Sequence, residues 1–98
     1  MNNVEVLVST MNQENKDLLS KMKIASNAVI VNQCGRKETD CIEYKQNHVL
    51  WIDSNDLGLS KSRNIAIANS KSSIIVLADD DVEYIEGYAK VIENAFLK

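Results

Sequence analysis

Three short runs of mostly β-branched and apolar residues, each ending in polar side chains, set the terms on which this chain can fold. They are Val4–Thr10 (VEVLVST), Asn27–Gln33 (NAVIVNQ) and Ile74–Ala78, which leads straight into Asp79, Asp80 and Asp81. Runs of this length and composition, bounded by polar or turn-forming residues, predict buried strands. Between the first two, Leu18, Leu19, Met22 and Ile24 form an apolar stripe among Glu14, Lys16, Asp17, Lys21 and Lys23. That pattern predicts one amphipathic helix, with Asn12 as its cap. Strand, helix and strand in that order suit a parallel crossover, which puts the first strand inside the sheet.

The middle of the chain reads differently. Cys34–Asp40 (CGRKETD) is a charged loop around Gly35, and Cys41–Tyr44 and His48–Asp53 are two short β-prone pieces about Lys45, Gln46 and Asn47 that predict a hairpin. Trp51 is expected in the core or over a sheet edge. After the turn cluster Ser54–Gly58, Ser60 is placed to cap a helix running to about Ser70. In the last segment, Ile85–Lys98, Tyr88, Val91, Ile92, Ala95 and Phe96 recur at helical spacing and predict a further helix. The whole order points to an α/β fold, a Rossmann-like open and largely parallel sheet with flanking helices, built as a single domain over residues 1–98.

Charge and composition narrow the partners. Eleven Lys and Arg against 14 Asp and Glu leave a net charge of -3, which argues against a polyanion-binding surface and hence against nucleic acid. No apolar run reaches the length of a membrane span, and the N-terminus carries Glu5 where a secretory signal would be basic, so a cytoplasmic protein without a transmembrane segment is expected. Cys34 and Cys41 lack the spacing of zinc pairs and have only His48 to help them; they read as reduced, structural thiols.

The acids after the third apolar run carry the chemistry. On an extended backbone Asp79 and Asp81 would project to one face and Asp80 to the other. Two carboxylates about 5 Å apart at an effective dielectric near 20 repel by roughly 3 kcal/mol, a cost that a divalent cation or a basic neighbour reverses. The plainer alternative is that they end a strand and cap the helix after it. In open α/β sheets ligands bind beyond the carboxyl ends of the strands, where Ser9–Asn12, Asn32–Gln33 and Asp79–Asp81 are all expected to fall. Lys61 and Arg63, near the start of the Ser60–Ser70 helix, oppose its macrodipole, as an anion held at that helix start would explain.

The ordered segments VLVSTMN, VIVNQCG, DLGLSKSRNIAIANS and IIVLADDDVEY resemble the nucleotide-binding half of family 2 glycosyltransferases, which have the GT-A fold. Thr10 and Asn12 match the family's Pro-Thr-Tyr-Asn type strand end. Gly58, Leu59, Arg63 and Asn64 match its Gly-Leu-x-x-x-Arg-Asn segment, and Asp79 with Asp81 match its Asp-x-Asp signature. The resemblance implies a UDP- or GDP-linked nucleotide sugar as partner, with Thr10, Asn12, Asn32, Lys61, Arg63, Asp79 and Asp80 on the substrate side. It also implies Mg²⁺ or Mn²⁺ as cofactor, held by Asp79 and Asp81. Asn32 stands where the family has an acid that reads the base edge, and Ser9 replaces the usual proline.

Family members continue into an acceptor-binding half that carries the general base. The expectation here is therefore a truncated donor-binding portion of an inverting, hexosyl-transferring enzyme, inactive alone, with no catalytic residue to assign and with exposed surfaces that would favour a homo-oligomer. Two other readings compete with it: a receiver-like, Mg²⁺-binding signalling domain, against which the first strand ends in Ser9 and Thr10 instead of acids, and an inert self-associating fragment.

Overall fold

The computed structural model describes residues 4–55 and 58–96. In chain order the elements are β1 (Val4–Met11), α1 (Leu18–Lys21), β2 (Asn27–Gln33), β3 (Glu38–Tyr44), β4 (Asn47–Ser54), α2 (Leu59–Ala68), β5 (Ile74–Asp79) and α3 (Tyr88–Phe96). The five strands form one mixed sheet in the order β3-β4-β2-β1-β5, so this is an α/β fold. β1 pairs in parallel with both β2 and β5, and β2 pairs in parallel with β4; only β3 runs antiparallel, against β4. Four strands thus point the same way, and their carboxyl ends share one edge of the sheet.

Burial follows the sequence pattern closely at the centre. β1 and β2 are enclosed on both faces, as near-continuous apolar runs in parallel strands require. On one face Val6, Val8, Ile30, Val49 and Trp51 pack with Leu18, Leu19, Met22, Ile24 and Tyr88. On the other, Leu7, Val29 and Val31 pack under Ala66 of α2. Each such side chain, fully buried, contributes about 1.5–3 kcal/mol of transfer free energy. The hairpin forms as expected, with Lys45 and Gln46 as a two-residue turn, both at positive φ (49° and 66°), the type I′ geometry that matches strand twist. β3 starts at Glu38, inside the segment expected as loop, because Glu38–Asp40 continue the ladder against Asp53–Trp51.

Several expectations are corrected. The first helix is a single turn, Leu18–Lys21, capped at Asp17 without a side-chain bond. Asn12 does not cap it, because Asn12 lies five residues earlier in a left-handed conformation (φ 56°), and Lys23 at φ 56° ends the turn. The apolar stripe is buried nonetheless, so the pattern reported burial correctly and helix length incorrectly. Ser60 lies inside α2; the N-cap is Gly58, whose φ of 106° is accessible to glycine and strained for other residues. β5 is an edge strand, not a buried one, with Ile75 40% and Leu77 50% exposed. In α3 the stripe is only partly covered: Tyr88 is buried and Ile92 packs on the core, while Val91 and Phe96 face solvent. Asp56 and Leu57 of the predicted turn, and Leu97 and Lys98 of the predicted last helix, lie outside the described residues.

Candidate functional site

The parallel ladders align the polar strand ends. Thr10 of β1 stands opposite Asn32 of β2, which stands opposite Asp53 of β4, and Ser9 stands opposite Asp79 of β5. β5 stops at Asp79, and Asp80 and Asp81 belong to a turn closed by the Val82 N–H donating to the Asp79 carbonyl at 3.3 Å. The expected alternation of Asp79 and Asp81 on one strand face therefore does not apply; the extended backbone it requires ends one residue too soon. All three aspartates are exposed.

Two contacts tie this acidic rim to its neighbours. The buried Thr10 donates through Oγ1 to Asp80 Oδ2 at 2.8 Å, and the Gln13 side chain donates to the same Thr10 oxygen at 3.0 Å. From α2, Arg63 Nη2 approaches Asp79 Oδ1 to 3.8 Å. Both partners of that pair are well exposed, so it contributes under about 1 kcal/mol and leaves the guanidinium available to a competing anion. Lys61 is exposed and takes part in no ion pair among the described residues.

Behind the rim lies a buried network. Asn32, with no exposed surface, donates from Nδ2 to the Gln13 carbonyl (3.0 Å) and to Asp53 Oδ1 (2.9 Å), and accepts from the Gln13 N–H (3.0 Å). Both amide hydrogens are thus committed within the protein. The side chain holds the loop after β1 in place while Asn12 N–H bonds the Gln33 carbonyl at 2.8 Å. The Gln33 side chain in turn donates to the Gly58 carbonyl and to Ser62 Oγ, fastening the start of α2 to the end of β2.

Asp53 completes the network and was not among the expected site residues. It also accepts from Trp51 Nε1 at 3.1 Å, and Arg36 Nη2 lies 3.7 Å from its other oxygen. Burial pushes its carboxyl up, but hydrogen bonds from Asn32, Trp51 and Cys34 and the nearby Arg36 charge outweigh that and leave it below the ordinary 3.8. The signal was present in the sequence, since Asp53 closes the β-prone WID run just as Asn32 closes the second strand. A cavity of about 490 Å³ opens beside this network, lined by Asn12, Gln13, Glu14, Cys34 and Arg36. Gln13 and Arg36 were likewise missed, being loop residues without a periodic pattern.

The structure thus brings Thr10, Arg63, Asp79 and Asp80 together, sets Asn12 and Asn32 one strand end away, and leaves Lys61 outside the ion pairs of the described residues. Asp79 and Asp81 offer the hard oxygen donors that Mg²⁺ and Mn²⁺ prefer. Among the described residues no group of three or more His, Cys, Asp or Glu is arranged to hold a metal ion. Cys34 and Cys41 are free thiols, and no described helix is long and apolar enough to cross a membrane. Comparison with profiles of known families, with curated proteins and with solved structures returns no match.

Proposed function

We propose that this α/β domain is the donor-binding part of an inverting glycosyltransferase, with a Rossmann-like, GT-A type nucleotide-binding sheet. The observation that carries the reading is the meeting of an acidic turn, a hydroxyl and a guanidinium at the carboxyl ends of parallel strands: Thr10 on Asp80, and Arg63 beside Asp79. A nucleoside diphosphate fits that mixture, because its ribose hydroxyls donate to carboxylates while its phosphates accept from cations and helix-start amides. Asp79 and Asp81 would hold Mg²⁺ or Mn²⁺, which when bound supplies charge neutralisation for a departing diphosphate.

The residues divide the work. Arg63 exchanges a weak surface partner for phosphate, and Lys61, in the first turn of α2, adds a second cation. Thr10 holds one oxygen of Asp80 through its hydroxyl, and the other oxygen would serve the ligand. Asn32 acts as a positioning residue, holding the Gln13 backbone and Asp53, while Asn12 lies on the rim of the adjoining cavity. The reading covers donor binding and assigns no general base.

Calorimetric titration of UDP- and GDP-sugars with and without Mn²⁺ tests the proposal. Metal-dependent binding to one of them is expected, weakened about tenfold or more by Asp79→Asn or Asp81→Asn with the thermal midpoint unchanged. Folded protein that binds neither nucleotide sugar in the presence of metal would overturn it.

A further inference from the structure

Building on the donor-binding reading, we propose that the cavity beside the Asn32 network takes guanine, read by Glu14 and Arg36, and so selects GDP-linked donors over UDP-linked ones. The cavity has two walls: Asn12, Gln13 and Glu14 from the loop after β1, and Cys34 with Arg36 from the loop after β2. In the sheet β1 lies between β2 and β5. A nucleotide whose phosphates meet Arg63 and the acidic turn would therefore lay its base across the end of β1, toward this cavity. Most polar groups there are already committed. Asn32 is fully buried, gives both amide hydrogens to the protein and accepts the Gln13 N–H. The Gln13 carbonyl accepts from Asn32, and its side chain donates to Thr10.

Two charged side chains remain, one on each wall. Glu14 is exposed and forms no ion pair among the described residues. Arg36 Nη2 stands 3.7 Å from Asp53, beyond hydrogen-bond length, and its side chain is half-exposed, so its fork of N–H donors stays available. Asn12 adds a neutral amide that can donate or accept and so does not choose between bases. A carboxylate is best matched by two adjacent donors and a guanidinium by two adjacent acceptors. Guanine has both, N1–H beside the 2-amino group and N7 beside O6. Uracil offers one N–H set between two carbonyls that a carboxylate repels. Cytosine and adenine put a ring acceptor beside their amino group, against Glu14, and the adenine amino group also faces Arg36 with a donor. Of the four bases guanine alone satisfies both walls.

Calorimetric titration of GDP, UDP and inosine diphosphate, each with Mn²⁺, tests the assignment. GDP should bind about tenfold or more tighter than UDP. Inosine diphosphate lacks the 2-amino group and should lose part of that advantage; in Glu14→Gln its difference from GDP should vanish. Arg36→Met should bring GDP down to the affinity of UDP. UDP binding as tightly as GDP, or a GDP preference unchanged in both variants, would overturn the guanine assignment and leave donor binding standing. Folded protein that binds none of the three nucleotides would overturn the donor reading itself, and the guanine site with it. Circular dichroism confirms that the variants remain folded.

Discussion

Asn32 offers the sharpest test of how the strand ends are held. Its side chain is fully buried and makes three hydrogen bonds, two with the Gln13 backbone and one to the Asp53 carboxylate. An ordinary hydrogen bond is worth about 1 kcal/mol net and one to a charged group about 1.5–3 kcal/mol. Gln13 is only half-buried, so water re-satisfies part of what Asn32→Ala removes, and the expected loss is about 3 kcal/mol. At a urea slope of about 1.5 kcal/mol per molar, the unfolding midpoint should fall by about 2 M with the slope unchanged. Asn32→Asp keeps the shape and the acceptor for Gln13 N–H but places a second carboxylate against Asp53. Two charges about 4 Å apart at an effective dielectric near 20 repel by about 4 kcal/mol, a large share of the about 5–15 kcal/mol available to a domain.

The pH dependence separates this mechanism from simple packing loss. In the parent protein the Asp53 pKa is depressed, so its contribution is present above the ordinary carboxylate value of 3.8 and is lost as pH falls through the folded value. In Asn32→Asp one carboxyl of the pair is raised above its unfolded value. That penalty is therefore full at neutral pH and disappears as the solution is acidified toward the ordinary range. Urea curves for both proteins at about pH 7 and about pH 4 should converge in acid. An Asn32→Ala variant within about 0.5 kcal/mol of the parent, or an Asn32→Asp deficit that does not narrow in acid, would refute the reasoning.

Three further outcomes are expected. Trp51→Phe removes one hydrogen bond to Asp53 and should bring its carboxyl back toward the ordinary value, so that the carboxyl carbon chemical shift titrates at higher pH than in the parent. Tyr88→Phe strips the hydroxyl that accepts from Ala25 N–H at 2.9 Å and bonds the buried Ser26 at 2.6 Å; a cost of about 1–2 kcal/mol should lower the thermal midpoint by roughly 5–10 °C. Combining Lys45→Asn with Gln46→Gly in the left-handed hairpin turn should raise that midpoint by about 5 °C.

What was legible in the sequence was legible for local reasons. Val4–Thr10 and Asn27–Gln33 are apolar on both faces, which only an interior parallel strand satisfies, and β1 and β2 occupy those positions. The hairpin was marked by two β-prone runs with polar residues between them. Where the sequence misled, tertiary packing had overridden a local pattern. Leu18, Leu19, Met22 and Ile24 are buried through one helical turn and an irregular exit, which gives the same burial as a longer helix. The apolar run of β5 suggested an interior strand, yet alternate residues are exposed, because burial of a strand's second face depends on neighbours that the run itself cannot specify. Asp79 and Asp81 showed their chemistry but not their placement, since the end of a strand is set by its partner's register. Asp53 was marked by its place at the end of a β-prone run, but its partners Asn32 and Arg36 are brought to it only when β4 is laid beside β2 and the loop after β2 folds back.

The pairing of β5 with β1, Ile74 opposite Val4, closes the sheet across most of the chain. The β1-β2 crossover and the β3-β4 hairpin join residues much nearer in sequence and incur a smaller loop-closure entropy, so β5 is the strand expected to dock late in folding. Held by a single ladder, as β3 is at the other edge, it opens more readily than the interior strands, and its amides exchange with solvent sooner than those of β1 and β2. The acidic turn at its end is therefore on a labile border of the sheet. Whatever bridges that turn to Thr10 or Arg63 acts as a latch, and its occupancy would register first as slower amide exchange along Ile74–Asp79.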